Sequence, residues 1–182
     1  MKVSKIWSLL KKRRSIVVME GKDCKWIGDG IAAYSITNLP VLDSGIMQTL
    51  LDVSDKAWDN FEYETREVAF DENDFVAGEV ELKEMPISIW YKDMELILLE
   101  GSNKIFFIQC KYTDPIRDTE YLSFSYRPYD KAIVARNGMF MTAVICPVNL
   151  ADTDFDKELY KIYKLMNPLS EGADEDDNDR IP

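Results

Sequence analysis

Between residues 87 and 146 the chain passes through six short stretches rich in β-branched and aromatic residues, at 87–91, 94–99, 104–112, 121–126, 132–135 and 139–146. Apolar positions recurring at a period of two suit a pleated strand and not a helix. The whole segment therefore predicts sheet. Gly101-Ser102-Asn103 and Asn137-Gly138 sit between apolar runs, and both predict tight hairpins. Pro147 closes the last strand.

The first half mixes periods. Residues 3–13 place Ile6, Leu9 and Leu10 on one side of a helix with lysines elsewhere. Residues 15–19 read as a strand, Gly21-Lys22-Asp23 as a turn, and 25–36 as a second strand containing Gly28 and Gly30. Asp43 or Ser44 can cap a helix over 43–52 that buries Ile46, Met47, Leu50 and Leu51. Residues 58–61 carry no clear pattern, 63–70 alternate as a strand, and Asp71-Glu72-Asn73-Asp74 reads as a solvated acidic loop. A third helix is expected over 152–166. Its stripe of Phe155, Leu159, Ile162 and Met166 should cover the sheet made by the Asn137-Gly138 hairpin. Residues 169–182, with six acids and one arginine, read as a disordered acidic tail.

The fold class that follows is α+β, with antiparallel or mixed sheets and three amphipathic helices, 3–13, 43–52 and 152–166, packed on one side. One globular domain over 1–168 is expected, divisible into halves at 1–80 and 85–168. No tandem repeat is visible, but a strand-helix-strand pattern occurs in each half. That pattern resembles sliding-clamp domains.

Composition enters mainly through what it excludes. The 182 residues include no histidine, which removes Ser-His-Asp and Cys-His catalysis and histidine-ligated zinc. Cys24, Cys110 and Cys146 are odd in number and far apart, so neither a disulfide framework nor a zinc ribbon is expected. A reduced, cytoplasmic setting fits them. No run approaches the roughly 18 apolar residues of a membrane span, and 6–10 is too short for a signal core. Net charge is -11, but the first fourteen residues hold Lys2, Lys5, Lys11, Lys12, Arg13 and Arg14 and no acid. The remainder is strongly acidic and repels phosphate, so DNA contact requires a local basic patch or an encircling geometry.

Several residue groups suggest chemistry. Trp26-Ile27-Gly28-Asp29-Gly30 lacks the spacing of a phosphate loop and reads as a kinked strand or hairpin. Asp71 to Asp74 and Asp174 to Asp179 lack the ligand pattern of a calcium loop. Residues 92–100, a tight turn and 105–111 resemble the core hairpin of PD-(D/E)xK nucleases, with Gln109-Cys110-Lys111 matching the Gln-x-Lys of the Mrr-type branch. That resemblance implies Glu95 as ligand of a magnesium ion and Lys111 beside the attacking water. A Glu stands where the family has Asp, and an antiparallel hairpin with Gln109 and Lys111 on its solvent face explains the same residues.

The acidic 171–182 segment resembles the docking tails of bacterial single-strand DNA-binding proteins, without their final Phe. Trp90, Tyr91, Phe106, Phe107, Tyr112, Tyr121, Phe124, Tyr126 and Phe140 could stack bases beside Lys104, Arg117, Arg127, Lys131 and Arg136, although alternation places most of them in a core. Finally, 26–34, 39–43 and 133–147 resemble an uncharacterised family carried by phages, prophages and integrative elements of Gram-positive bacteria. The resemblance implies a mobile-element setting and supplies no catalytic residue. The function expected is a non-enzymatic binding or assembly protein of a mobile genetic element, with a sliding-clamp-like role in DNA replication or maintenance, that needs no cofactor. Its partner would be another protein or a further copy of itself, with DNA contacted by some means other than bulk charge. The metal-dependent nuclease and the single-strand DNA-binding module stand as alternatives.

Overall fold

The computed structural model describes residues 1–37, 39–150 and 159–162. Over these the chain is α+β, as its periodicities require, with ten strands joined edge to edge. Helix α1 (Val3–Arg13) buries Ile6, Leu9 and Leu10, and its last turn holds Lys11, Lys12 and Arg13. These cations complement the negative end of the helix dipole. Arg14 ends the helix in the left-handed region at φ +56, its N–H bonding to the Leu10 carbonyl, and the chain passes directly into β1 (Ser15–Glu20).

The stretch 25–36, expected as one strand, is a hairpin of β2 (Lys25–Gly28) and β3 (Ala32–Ile36). Gly28 permits the reversal, because a Cβ there would lie 1.8 Å from the Ala32 carbonyl oxygen. Helix α2 (Ser44–Leu50) begins where Asp43 accepts a hydrogen bond from Ile46 N at 2.8 Å. A short α3 (Asp55–Trp58) ends where the stretch without a pattern begins, and β4 (Glu62–Glu67) then lies parallel to β1.

The second half is sheet, as expected. Strand β5 (Val80–Tyr91) is longer than the 87–91 run suggested, because the irregular Met85-Pro86-Ile87 stretch masks its alternation; pairing to β6 (Met94–Gly101) slips register there. Ser102 and Asn103 both take φ near +50 to +59, making the I′ turn into β7 (Lys104–Gln109). The predicted strand 104–112 stops early, and Cys110–Thr113 turn into helix α4. Strands β8 (Leu122–Arg127), β9 (Ala132–Asn137) and β10 (Phe140–Ile145) form a meander. Asn137 pairs with Phe140, so Gly138, at φ +60, takes the first central position of the turn, as a type II′ turn needs.

The strand order is β4-β1-β2-β3-β10-β9-β8-β5-β6-β7. Within it β3 and β10 run antiparallel, with Tyr34, Ala33 and Ala32 opposite Ala143, Val144 and Ile145. Each side of this pairing holds a helix followed by a three-stranded meander: α1 with β1-β2-β3, and α4 with β8-β9-β10. A two-fold axis through the β3–β10 pairing exchanges the two units in topology. The flanks break the symmetry, since β4 is parallel to β1 whereas β5 is antiparallel to β8.

One face of the sheet meets α1, α2 and α4. Its core joins Ile6 and Leu10, Met47, Tyr112 and Ile116 to Ile16, Val18, Ile27, Tyr34, Phe124, Ile133 and Ile145. The opposite face carries Val17, Met19, Trp26, Ala33, Val134 and Val144, against which Val68 and Phe70 pack. Residues 68–79, linking β4 to β5, therefore pass along the back of the sheet past the six strands that separate them. The expectation of a solvated loop at 71–74 is corrected here. Arg127, buried, donates to the carbonyls of Asp71 and Asn73, while Arg136 donates to that of Asp74 at 2.7 Å. The Asp74 carboxylate accepts from Met141 N at 2.7 Å.

The predicted helix 152–166 lies mostly outside the described residues, as does the tail 169–182. Residues 159–162 are helical. Leu159 and Tyr160 pack against Met85, Leu96, Leu98, Ile105 and Phe107, on the back of β5-β6-β7. The contact is not with the Asn137-Gly138 hairpin, and Ile162 is half exposed. No described helix is long and apolar enough to cross a membrane.

Candidate functional site

Three local events converge on the helical face. The last turn of α1 presents Lys12 and Arg13. The β7 strand runs without a loop into α4, whose first turn presents Lys111 directly after Gln109 and Cys110. The tip of the β5–β6 hairpin, where Lys92 takes φ +52, brings up Trp90, Asp93, Met94 and Glu95. These residues, with Leu9 and Asp114, line one open cleft of about 440 Å³.

Beneath the cleft lies Asp29, almost wholly buried. Its carboxylate accepts from Ile31 N at 3.0 Å and Ala32 N at 3.1 Å, closing the β2–β3 turn. The other oxygen accepts from the Tyr112 hydroxyl at 2.8 Å and Arg13 Nε at 3.2 Å. The Tyr34 hydroxyl donates to the Tyr112 carbonyl at 2.8 Å. One carboxylate thus ties α1, α4 and the β2–β3 hairpin together. Burial, and then the charge of Asp29, pushes the Tyr34 phenol far above its ordinary range; Tyr112 is raised by burial and by its hydrogen bond to Asp29. Both stay neutral donors.

Lys111 holds its ammonium 4.9 Å from the centre of the Tyr112 ring. Its pKa is lowered first by burial, then by the charge of Arg13, with Asp29 opposing and Lys12 adding. Three cations therefore crowd one rim. Across from them Glu95 accepts from Ser88 Oγ at 3.3 Å, and the Cys110 thiol is pushed up by burial and then by the charge of Glu95.

The structure brings Glu95, Gln109 and Lys111, the three residues of the nuclease resemblance, into this single cleft. It corrects their setting, because Lys111 stands on a helical turn and not on a strand. Among the described residues no three His, Cys, Asp or Glu side chains converge to hold a metal ion.

The candidate base-stacking residues separate. Phe107, Tyr112 and Phe124 are core, and Phe106 packs on Tyr126 at 4.4 Å between ring centres. Tyr121 and Phe140 are exposed away from the cleft, and Trp90, 73% exposed, is the aromatic that stands in it. Arg127 and Arg136 are unavailable to a ligand. Both are buried and share Glu79, through Arg127 Nε at 2.6 Å and Arg136 Nη2. Arg117 pairs with Glu84 at 3.1 Å, and Lys104 and Lys131 lie at a different cavity along β7. Lys12 and Arg13 were missed as site residues. Their signal in the sequence was the acid-free run of six cations in the first fourteen residues.

The Trp26 to Gly30 segment is the end of β2 and the start of the hairpin turn, where the Asp29 carboxylate accepts from the N–H groups of Ile31 and Ala32. The chain matches no family model, no curated protein and no solved structure.

Proposed function

We propose that this chain is a non-enzymatic binding and assembly protein of a mobile genetic element, acting in the cytoplasm, and that it works on DNA in the manner of a sliding clamp. The observation that carries the reading is the two-fold arrangement of helix-plus-meander units, which sets α1 and α4 on one face of a continuous sheet. That face bears Lys5, Lys11, Lys12, Arg13 and Lys111, while the molecule as a whole carries -11. A charge distribution of this kind suits a protein that surrounds a duplex. The basic face meets phosphates, and the acidic remainder keeps the contact loose enough to slide. The mobile-element setting rests on the resemblance carried by 26–34, 39–43 and 133–147.

Topological linkage is the test. A closed assembly should be retained on circular DNA and lost when the circle is linearised, and sedimentation should report a species larger than one chain. A monomer at all concentrations, equally retained on both forms of DNA, would overturn the clamp reading. The gathering of Glu95, Gln109 and Lys111 favours the nuclease as second reading. Cleavage of DNA with magnesium or manganese that disappears in Lys111→Ala would establish it in place of the clamp.

A further inference from the structure

We infer that the cleft between α1, α4 and the β5–β6 tip binds single-stranded DNA, with a backbone phosphate on Lys12, Arg13 and Lys111 and a base stacked on Trp90. The inference rests on the DNA-directed reading above for DNA as the ligand, but not for the clamp geometry, and takes a single strand where that reading takes a duplex.

The cleft holds the two things a nucleotide unit of a strand needs. The first is positive charge without an internal partner of equal weight. Arg13 shares the buried Asp29, whereas among the described residues the Lys12 and Lys111 side chains make no hydrogen bond or ion pair, the Lys111 ammonium lying over the Tyr112 ring. Three like charges held together repel one another, and an arriving phosphate relieves that repulsion. Burial first, and then the nearby charge of Arg13, lowers the Lys111 pKa; Asp29 opposes this and Lys12 adds to it.

The second is a flat apolar surface in water. Trp90 is 73% exposed on the helical side of β5, opposite Glu95 in register, with its indole N–H unpaired among the described residues. Trp7, Trp26 and Trp58 are all at least partly packed into cores. A large exposed indole beside cations is costly to leave in water and gains from a stacked base. The side chain of Gln109, also without a hydrogen-bond partner among the described residues, adds both a donor and an acceptor at the same wall. Duplex DNA cannot use this arrangement, since its bases are already stacked on each other.

Asp93, Glu95 and Asp114 line the cleft as well. Their charges oppose phosphate, so the affinity should be modest and fall steeply with salt.

Trp90 is its own reporter. Titrating the intact protein with a short oligothymidylate at low salt should quench the long-wavelength part of tryptophan emission, and Trp90→Phe should lack that component. By fluorescence anisotropy of a labelled oligothymidylate, Trp90→Ala should weaken binding about tenfold, from the loss of one stacked base. Lys12→Ala combined with Lys111→Ala should weaken binding and lessen the slope of log affinity against log salt by up to about 0.7, one phosphate's worth for a single strand. Tyr129→Ala, which removes an aromatic 96% exposed elsewhere, should bind as the wild type does.

No quenching by the oligonucleotide, or equal loss of affinity in Trp90→Ala and Tyr129→Ala, would overturn the site. Thymidine monophosphate binding as tightly as the oligonucleotide would also overturn it, in favour of a free-nucleotide pocket. Retention on circular DNA without oligonucleotide binding would refute this inference alone, whereas oligonucleotide binding without such retention would refute only the clamp.

Discussion

At the scale of single residues, buried charge decides what may vary. Glu79 serves two buried arginines at once and also accepts from Ser125 Oγ at 2.9 Å. Burial by itself would raise its pKa, but the hydrogen bonds from Arg127 and Ser125 and the charges of both arginines outweigh it, and the net shift is downward. Because the folded-state value is depressed, the associated stability is fully present above the ordinary glutamate value of 4.5 and is lost as pH falls below it. Glu79→Ala should cost about 3–5 kcal/mol at pH 7, because two guanidinium groups lose their counter-ion in a dry site. Urea midpoints of wild type and Glu79→Gln, compared at pH 7 and in mild acid, should converge as the pH drops. A constant gap would refute the linkage. Tyr112→Phe removes the hydroxyl that donates to buried Asp29 and should cost about 1.5–3 kcal/mol, the range for a hydrogen bond to a charged group. The three thiols are also subdued. Cys24 is pushed up to about 11 by burial and by Glu72, and Cys110 and Cys146 are raised as well. Alkylation by iodoacetamide at pH 8 should be slower at each than at a free cysteine in unfolded chain, which peptide mapping over time can check.

Among the elements, helix α1 has two faces with separable roles. Leu10 is fully buried and Lys12 is exposed, two positions apart. Leu10→Ala should cost about 2–5 kcal/mol and Lys12→Ala no more than about 0.5 kcal/mol in chemical denaturation. If Lys12→Ala unfolded the protein, its place on a binding face would be wrong. The short α4 owes its position to neighbours more than to propensity: Tyr112 anchors it through Asp29 and Tyr34, and Lys2 N bonds the Pro115 carbonyl at 2.6 Å just beyond it. A four-residue helix has no independent stability. Sequence periodicity could not separate it from the end of β7, since Ile108, Cys110 and Tyr112 continue the alternation that a strand would show. Of the helix expected to cover the Asn137-Gly138 hairpin, only residues 159–162 are described. Leu159 packs where expected of an apolar residue, but on β6 and β7, because an amphipathic stripe specifies that it must be covered and not by what.

For the whole molecule, the cores tie the first and second halves together. The cluster beneath the helices draws on Ile6, Ile16 and Tyr34 as well as Phe124, Ile133 and Ile145, and the strand pair β3–β10 joins residues more than a hundred positions apart. Calorimetry should therefore show one unfolding transition, and a fragment ending at residue 80 should lack the circular dichroism of a sheet. Two resolved transitions would mean that the halves at 1–80 and 85–168 are separate folding units. The strap at 68–79 adds to this coupling, since it contacts Trp26 through Glu72 at 3.0 Å and the second half through Arg127 and Arg136.

By itself the sequence determined the local conformations. The Gly101 and Gly138 turns, the Asp43 cap, the Ile6-Leu9-Leu10 spacing and most of the period-two alternation each act over a few residues, and the folded chain keeps them; the exceptions are the reversal inside 25–36 and the helical turn at 110–113. It also determined which residue types no site here can use, histidine first. Tertiary structure alone decided the rest. The meeting of β3 with β10, the two-fold relation of α1 and α4, the burial of Arg127 and Arg136 under a strap that reads as solvated, and the placing of Lys12 and Arg13 beside Trp90 and Lys111 all depend on long-range packing. A side chain's own sequence neighbourhood states whether it prefers to be buried. Which distant group buries it, or leaves its charge unpaired, is settled only when the strands have chosen their partners, because that choice minimises exposed apolar area over the whole chain and not over any one segment.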